Sequence, residues 1–550
     1  MRRPESSFVF DVLFLVVVWL ALFVRHSELE EFHREEGRRA LPAREMVEQG
    51  QYVVPTVFHE PYLTKPPMMF WAVAASSAFS DPIEPFTARI PSLAATLLLA
   101  LLLYAFAYRF RGKLTARCAA LLFLITPMVF EKGTLGEIEA LLALFVFSSV
   151  ASAWVGIARV GIGRSRVWIV LSGMLLGCAV LTKGPVALVF HAGALLGYAA
   201  LVRRRDVILP TLATVGLSFV VAVPWVWMLV ERLEWAEVRR IWMSESVGGG
   251  SGASLSVYVK ERWKFALGAF FGFLPSSLLW LTALFGRDRK QVFREDVVRF
   301  AACGALAGVV FFLLFPYSRA RYAFPAVPWF AFIGGELLAR AILSQRASEI
   351  MEKASVHGPK LAVRAFAGIG ALLAVVIAVA AVLELAGADV IPIETTVTGW
   401  ILLTAVASCG ALAALNARRN LIVRAVAFTF LTFALGRVFH LESVVPLNLG
   451  RHGVNERASA LASHLNTEEV PYTTHYGSFN VFARLDRFLQ LTADPWTSVQ
   501  AGERLVTTPA DVERYELDDG SAWKAIAEIS FDDEQPLLLL ERASATDESR

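Results

Sequence analysis

Between His33 and Trp71 a polar stretch carries two adjacent acids, Glu35 and Glu36, a cation three residues on, Arg38, and a Tyr62-x-x-Lys65-Pro66-Pro67 segment. Further along, isolated ionisable residues interrupt apolar runs: Glu137 and Glu139, Lys183 in Leu-Thr-Lys-Gly-Pro, Glu245 after Trp242, and Arg319, Arg321 and Tyr322 in one short segment. A charge at bilayer depth costs about 2.5 to 3.5 kcal/mol on insertion scales, so such groups face a cavity or one another. Carboxylates beside lysine and arginine suit a phosphate-bearing lipid. The cations hold phosphate, and one carboxylate orients or deprotonates an attacking group. Taken singly, Glu35 and Glu36 also fit a solvated helix face, and Arg319 and Arg321 fit interfacial side chains whose heads reach water. His26, His33 and His59 lack metal-ligand spacing, so no metal ligand is assigned. Gly248 to Gly250 lack the preceding strand and following Lys-Ser/Thr of a phosphate loop.

These residues need a frame to hold them. Glu36, Ala40, Ala43 and Val47 recur at three-to-four spacing, which predicts a short amphipathic helix with Glu35 and Arg38 one turn apart. Gly50 stops it, and Pro55, Pro61, Pro66 and Pro67 keep the following chain extended. The stretch hangs between apolar runs, the first being Phe8 to Val24, and roughly 20 mostly apolar helical residues span a bilayer core. With 56% hydrophobic and 18% charged residues and a mean hydropathy of +0.54, the 550-residue chain is too apolar for an ordinary soluble protein and reads as α-helical and polytopic. Cys118, Cys178, Cys303 and Cys409 all fall inside apolar runs, so neither a disulfide nor a thiolate metal site is expected. The basic start followed by an apolar run with no small-x-small cleavage site predicts a retained first helix.

Thirteen spans are predicted, roughly 8–25, 88–108, 116–130, 139–158, 167–182, 185–202, 207–229, 264–285, 298–315, 322–341, 364–386, 398–416 and 421–438. Basic residues stay on the cytoplasmic side. Arg2, Arg3 and the basic loops after the even-numbered spans then share that side, and the opposite face receives the 26–87 and 230–263 loops and everything after His440. Residues 440–550 hold 9 Lys and Arg against 19 Asp and Glu. The expected division is therefore a transmembrane domain, 1–439, with outer loops 26–87 and 230–263, and an acidic extracytoplasmic α/β domain, 440–550. Strands are predicted near Leu505 and Leu537 and a helix at 456–465.

The run EEGRRALPAREMVEQGQYVVP followed by PYLTKPPMMFW resembles the first-loop signature of bacterial membrane glycosyltransferases of the C-type fold that use polyprenyl-phosphate sugars. That group includes the lipid A aminoarabinose transferases and is related to protein O-mannosyltransferases. GEIEALL at 136–142, LTKGP at 181–185 and RARYAFPAVP at 319–328 are similar to its later landmarks, in order. The resemblance implies that Glu35 occupies the place of the catalytic Asp, Arg38 its neighbouring Arg, Lys65 the phosphate-contacting Lys, Tyr62 the adjacent aromatic, Glu139 the second acid and Tyr322 the tyrosine near the lipid phosphate. Both acids are Glu where Asp is usual, one methylene longer, and Arg39 stands where Tyr is usual.

The expected activity is sugar transfer from a polyprenyl-phosphate-linked donor to a lipid or glycan acceptor on the non-cytoplasmic face of the inner membrane, with inversion. Glu35, Glu139 and Glu36 are the candidate catalytic acids. Lys65, Arg38, Tyr62, Arg321, Tyr322, Lys183 and Glu245 are the candidate substrate-binding groups. No cofactor is assigned, and a divalent metal is left open. Membrane lipids are partners and nucleic acid is not. The alternatives are transfer to protein hydroxyls, or a transporter, which would show inverted repeats and mid-membrane charges in broken helices.

Overall fold

Helices follow the apolar runs. The computed structural model describes residues 4–24, 31–78, 83–158, 162–247, 255–285, 289–315, 318–351, 360–385, 397–443, 454–465, 471–473, 479–485, 489–491, 495–501, 503–515, 517, 522–531 and 534–543. Nine helices among the described residues are long and apolar enough to cross a bilayer. The pair Ser256–Gly272 and Ser276–Phe285, bent by 100°, passes the same test together, and Phe8–Phe23 and Val186–Val202 are shorter apolar helices. The span expected at 116–130 is instead two helices, Lys113–Leu124 and Pro127–Lys132. Pro127 lacks an N–H and holds Thr126 extended, at ψ 127°, so one continuous helix cannot form there. The chain is thus a mostly helical, multi-pass membrane protein with a small α/β region near its C-terminus.

Its residues group into two compact units. The first comprises residues 1–27, 64–69 and 91–444. At its centre helix Ile138–Ala158, apolar on every side, packs against Ile162–Lys183, Val186–Val202 and the 3₁₀ turn Ala320–Ala326. Aromatic rings tighten that core, with Phe147 4.7 Å from Trp329 and Trp154 4.4 Å from Phe300.

Two charged layers bound this bundle. At the C-terminal end of helix Pro85–Arg111, Arg111 reaches Glu336 at 2.5 Å, and Arg340 and Thr115 reach the same carboxylate at 2.7 and 3.0 Å. Asp11 is held by Tyr104, Lys113 and Arg117, which flank Arg111 in the sequence. Ser92, near the start of the same helix, instead donates to the carbonyl of Glu137 at 2.9 Å. The 19 residues from Ser92 to Arg111 span about 28 Å at 1.5 Å per residue, close to the hydrocarbon thickness. Paired charges therefore sit at both ends of an apolar slab, where they are least costly.

The second unit comprises residues 28–63, 70–90 and 445–550, so the first polar loop groups with the tail. Within it, helix Gly37–Gln49 ends at Gly50, whose φ of 63° is a left-handed cap that glycine adopts without strain. A two-residue hairpin follows, β1 (Thr56–Val57) against β2 (Glu60–Pro61). The tail strands are β3 (Tyr472–Thr473), β4 (Gln490–Leu491), β5 (Arg504–Thr507), β6 (Trp523–Phe531) and β7 (Glu534–Arg542), in the order β4-β3-β5-β7-β6. Val499, Leu505, Leu517, Trp523 and Leu540 form its core. The strands predicted near Leu505 and Leu537 are β5 and β7, and the predicted helix is Val454–Ser463.

Candidate active site

The first unit gathers a cluster of opposite charges. Lys132 ends helix Pro127–Lys132, a tight turn follows, and Glu137 and Glu139 stand at the start of helix Ile138–Ala158, where a helix N-terminus favours acids. Lys183 ends its own helix, where a cation is favoured. Lys132 Nζ lies 2.9 Å from Glu137 Oε2, and Lys183 Nζ lies 3.2 Å from Glu139 Oε1. Arg321, on the 3₁₀ turn, approaches both acids, at 3.5 Å from Glu137 and 3.8 Å from Glu139. Lys183 Nζ also stands 4.4 Å over the Tyr322 ring, a cation–π contact. Half-exposed Glu131 adds a third acid, 3.4 Å from Lys132.

The turn between Lys132 and Glu137 is tightly packed. A Cβ on Gly133 would meet Thr96 Oγ1 and the Val129 carbonyl oxygen, each at 2.6 Å, so only glycine fits. Thr96 Oγ1 donates to the Gly133 carbonyl at 3.1 Å. Burial pushes the Glu137 carboxyl up from its ordinary range and neighbouring Glu139 adds to this, while Lys132 and Arg321 pull it down.

In the second unit the adjacent acids have different surroundings. Glu36 is fully buried: Arg89 Nε and Nη2 donate to its two oxygens at 2.8 and 2.7 Å, and the His33 N–H donates to Oε2 at 2.8 Å. Arg89 Nη2 also reaches the Glu31 carbonyl at 2.6 Å. Glu35 keeps 23% of its side chain exposed and meets Arg38 at 3.5 Å, the pairing expected from their spacing. Tyr62 is buried, its N–H donating to the Pro55 carbonyl at 2.8 Å and its ring 6.2 Å from Phe70.

Lys65, on a short segment of the first unit, donates to the Thr64 carbonyl at 2.7 Å. Glu245 falls on helix Trp235–Val247, but its side chain lies outside the described residues, as do His26 and Gly248 to Gly250. Arg319 is exposed. The structure thus brings Glu139, Lys183, Arg321 and Tyr322 together, and Glu35 with Arg38. Among the described residues no group of three His, Cys, Asp or Glu could hold a metal ion.

Several participants escape a reading of the sequence. Lys132 and Arg89 lie at the edges of apolar runs, and a charge in such a place was the available signal. Glu45 carried none. Buried on helix Gly37–Gln49, it accepts from Thr56 Oγ1 at 2.5 Å, Phe58 N–H at 2.6 Å and His59 N–H at 3.3 Å. Phe58 and His59 are both left-handed, with φ of 56° and 64°, the type I′ geometry that favours Asn-Gly. Glu45 braces this strained turn, and the buried Phe58 ring packs edge-on against Phe482 with centroids 5.5 Å apart.

Known proteins share this architecture. The fold is that of ArnT from Cupriavidus metallidurans: the apo crystal structure matches with a TM-score of 0.70 at 19% identity, covering 98% of each chain. The same protein bound to undecaprenyl phosphate matches at 0.67 and 18% identity, again over 98% of each. Residues 7–233 match the family model described as dolichyl-phosphate-mannose-protein mannosyltransferase. The undecaprenyl phosphate-alpha-4-amino-4-deoxy-L-arabinose arabinosyl transferase 2 of Proteus mirabilis (strain HI4320) is 33% identical over 189 residues, 34% of this chain and 33% of that protein. A transferase of the same description, without the number, from Shewanella sediminis (strain HAW-EB3) is 23% identical over 351 residues, 62% of this chain and 60% of that one. The aligned stretches therefore span about a third to three fifths of these relatives' length. The comparisons bear out the resemblance read from the first-loop signature.

Proposed function

We propose that the protein is a membrane glycosyltransferase that moves a sugar from a polyprenyl-phosphate-linked donor to a lipid or glycan acceptor, as an aminoarabinose transferase of lipid A would. The observation that carries this reading is the grouping of Lys183 and Arg321 on Glu139 beside Tyr322, at the end of an apolar bundle. Basic side chains there suit the phosphate of a lipid carrier. The named relatives and the likeness to a protein crystallised with undecaprenyl phosphate support it.

In this reading the acceptor oxygen attacks the anomeric carbon, the bond from that carbon to the carrier phosphate oxygen breaks, and the carrier leaves as its phosphate with inversion at the sugar. A hydroxyl acceptor gives its proton to Glu35 as its oxygen attacks; a phosphate acceptor that still carries a proton gives that proton to Glu35 in the same way. Lys65, Lys183 and Arg321 offset the charge that grows on the departing phosphate, stabilising the transition state more than the ground state. Glu36, saturated by Arg89, holds the loop, and Arg38 sets the Glu35 carboxylate. The bundle lies in the inner membrane with its N-terminus cytoplasmic, and residues 440–550 form an extracytoplasmic domain.

Mass spectrometry of lipids, glycans and proteins from a deletion strain tests the assignment. Loss of one sugar substituent from a lipid or glycan is the expected result. Loss confined to protein hydroxyls would instead favour the activity that the matched family model describes, and an unchanged profile in all three would contradict glycosyl transfer.

A further inference from the structure

One side chain of the tail, Asn480, meets the segment carrying Glu35 on both sides of the acid pair. Asn480, on the tail helix Phe479–Arg484, accepts from the Gly37 N–H through Oδ1 at 2.9 Å and donates from Nδ2 to the Arg34 carbonyl at 3.3 Å. These two groups flank the acid pair on either side. Between them the chain closes on itself, the Glu36 N–H donating to the His33 carbonyl at 3.1 Å, and Arg34 is left-handed at φ 54°. A non-glycine residue in that conformation persists where its surroundings over-determine it, and such residues cluster at functional sites. Two more contacts tie this helix to the same loop: Arg44 donates to the Leu485 carbonyl, and Phe482 packs on Phe58. Arg89 fixes Glu36 within the turn, and Asn480 fixes the backbone on both sides of it. These two grips set the backbone from which the Glu35 side chain leaves to meet Arg38 at 3.5 Å.

We infer that Asn480 is a positioning residue for Glu35, through which the tail sets the geometry of the acid in the transfer reaction. The inference rests on the proposed role of Glu35. The acidic tail is then part of the active apparatus rather than an appended domain, and its sequence is constrained at Asn480 by the backbone it must match: one donor and one acceptor, the pair a side-chain amide supplies.

The test uses the full-length protein, purified in detergent, as wild type, Asn480→Ala and Asn480→Asp. Alanine removes both hydrogen bonds; aspartate keeps the acceptor, loses the donor and places a negative charge beside the turn. Hydrogen exchange and steady-state transfer are read on each. Asn480→Ala is expected to raise deuterium uptake in peptides covering 33–41 and leave uptake in β6 and β7 unchanged. It should also lower kcat by up to about 10²-fold, the scale of a small misplacement of a reacting group, with donor KM within about threefold. Asn480→Asp should move the acid limb of the pH–rate profile upward, because a nearby anion raises the pKa of a carboxyl that must ionise. Unchanged uptake across 33–41 in Asn480→Ala would overturn the inference. So would raised uptake with wild-type kcat and an unmoved acid limb. If the wild type transfers no sugar, it is the proposed activity that fails, and the exchange data alone decide whether Asn480 holds the turn.

Discussion

Arg89 grips Glu36 through two nitrogens on two oxygens, at 2.8 and 2.7 Å, with neither side chain exposed to solvent. The pair divides the labour between two adjacent acids. A buried ion pair broken from one side leaves an uncompensated charge and costs about 3 to 5 kcal/mol. Arg89→Ala is therefore expected to lower the unfolding midpoint severely, and Glu36→Gln to lower it less, since the amide keeps the shape and one acceptor. Thermal unfolding of the two variants in detergent checks this, and a wild-type midpoint for Arg89→Ala would contradict the clamp role of Glu36.

In the proposed function the cations act on the donor phosphate and not on the acceptor. Lys65→Ala and Arg321→Ala should each lower turnover by about 10², the scale of losing one preorganised electrostatic contact, and weaken donor binding, while acceptor affinity barely changes. Lys183→Ala removes the closest cation from Glu139 as well as the contact with Tyr322, and should follow the same pattern. Separate titrations of donor and acceptor distinguish the cases; a defect confined to the acceptor in all three variants refutes the phosphate role.

The hairpin after the first-loop helix gives a prediction of opposite sign for two neighbours. Glu45→Ala strips the acceptor from Thr56 and from the N–H groups of Phe58 and His59, and should destabilise by about 1 to 3 kcal/mol. Exposed His59 is left-handed, at a cost of about 1 to 2 kcal/mol for an L-residue. His59→Gly relieves that strain, and glycine's greater freedom in the unfolded chain offsets part of the gain, leaving at most about 1 kcal/mol of stabilisation. Ranking the unfolding midpoints of wild type and both variants tests the pair, and a lowered midpoint for His59→Gly would go against it.

Topology is open to direct measurement. The one-sided basic loops place a fusion after residue 445 outside the cytoplasm and a fusion after Arg205 within it. A reporter active only in the periplasm should work at the first position, and one active only in the cytoplasm at the second. The reverse pattern overturns the proposed orientation.

What could be read along the chain was what short-range periodicity encodes. The first-loop helix, its stop at Gly50, the Glu35–Arg38 pair and most of the apolar spans depend on neighbours within a few residues, and these are present among the described residues. The break at Pro127 was equally local, and the apolarity of 116–130 masked it. Long-range pairings were not legible. Arg89 is 53 residues from Glu36 and Asn480 is 443 from Gly37, and no spacing rule links positions that only the fold brings together. That Glu139, Lys183 and Arg321 could share a site was legible as charges interrupting three separate apolar runs, which must face a cavity or one another.

In the proposed function Glu35 is the carboxylate that takes the acceptor's proton in a sugar transfer from a polyprenyl-phosphate donor. The most direct measurement reconstitutes wild type and Glu35→Gln in lipid vesicles with an undecaprenyl-phosphate-linked sugar and an acceptor lipid, and follows product by mass spectrometry. The amide changes shape little and abolishes the charge, so product is expected with the wild type, none above background with Glu35→Gln, and equal unfolding midpoints for the two. Full turnover by a folded Glu35→Gln would contradict it.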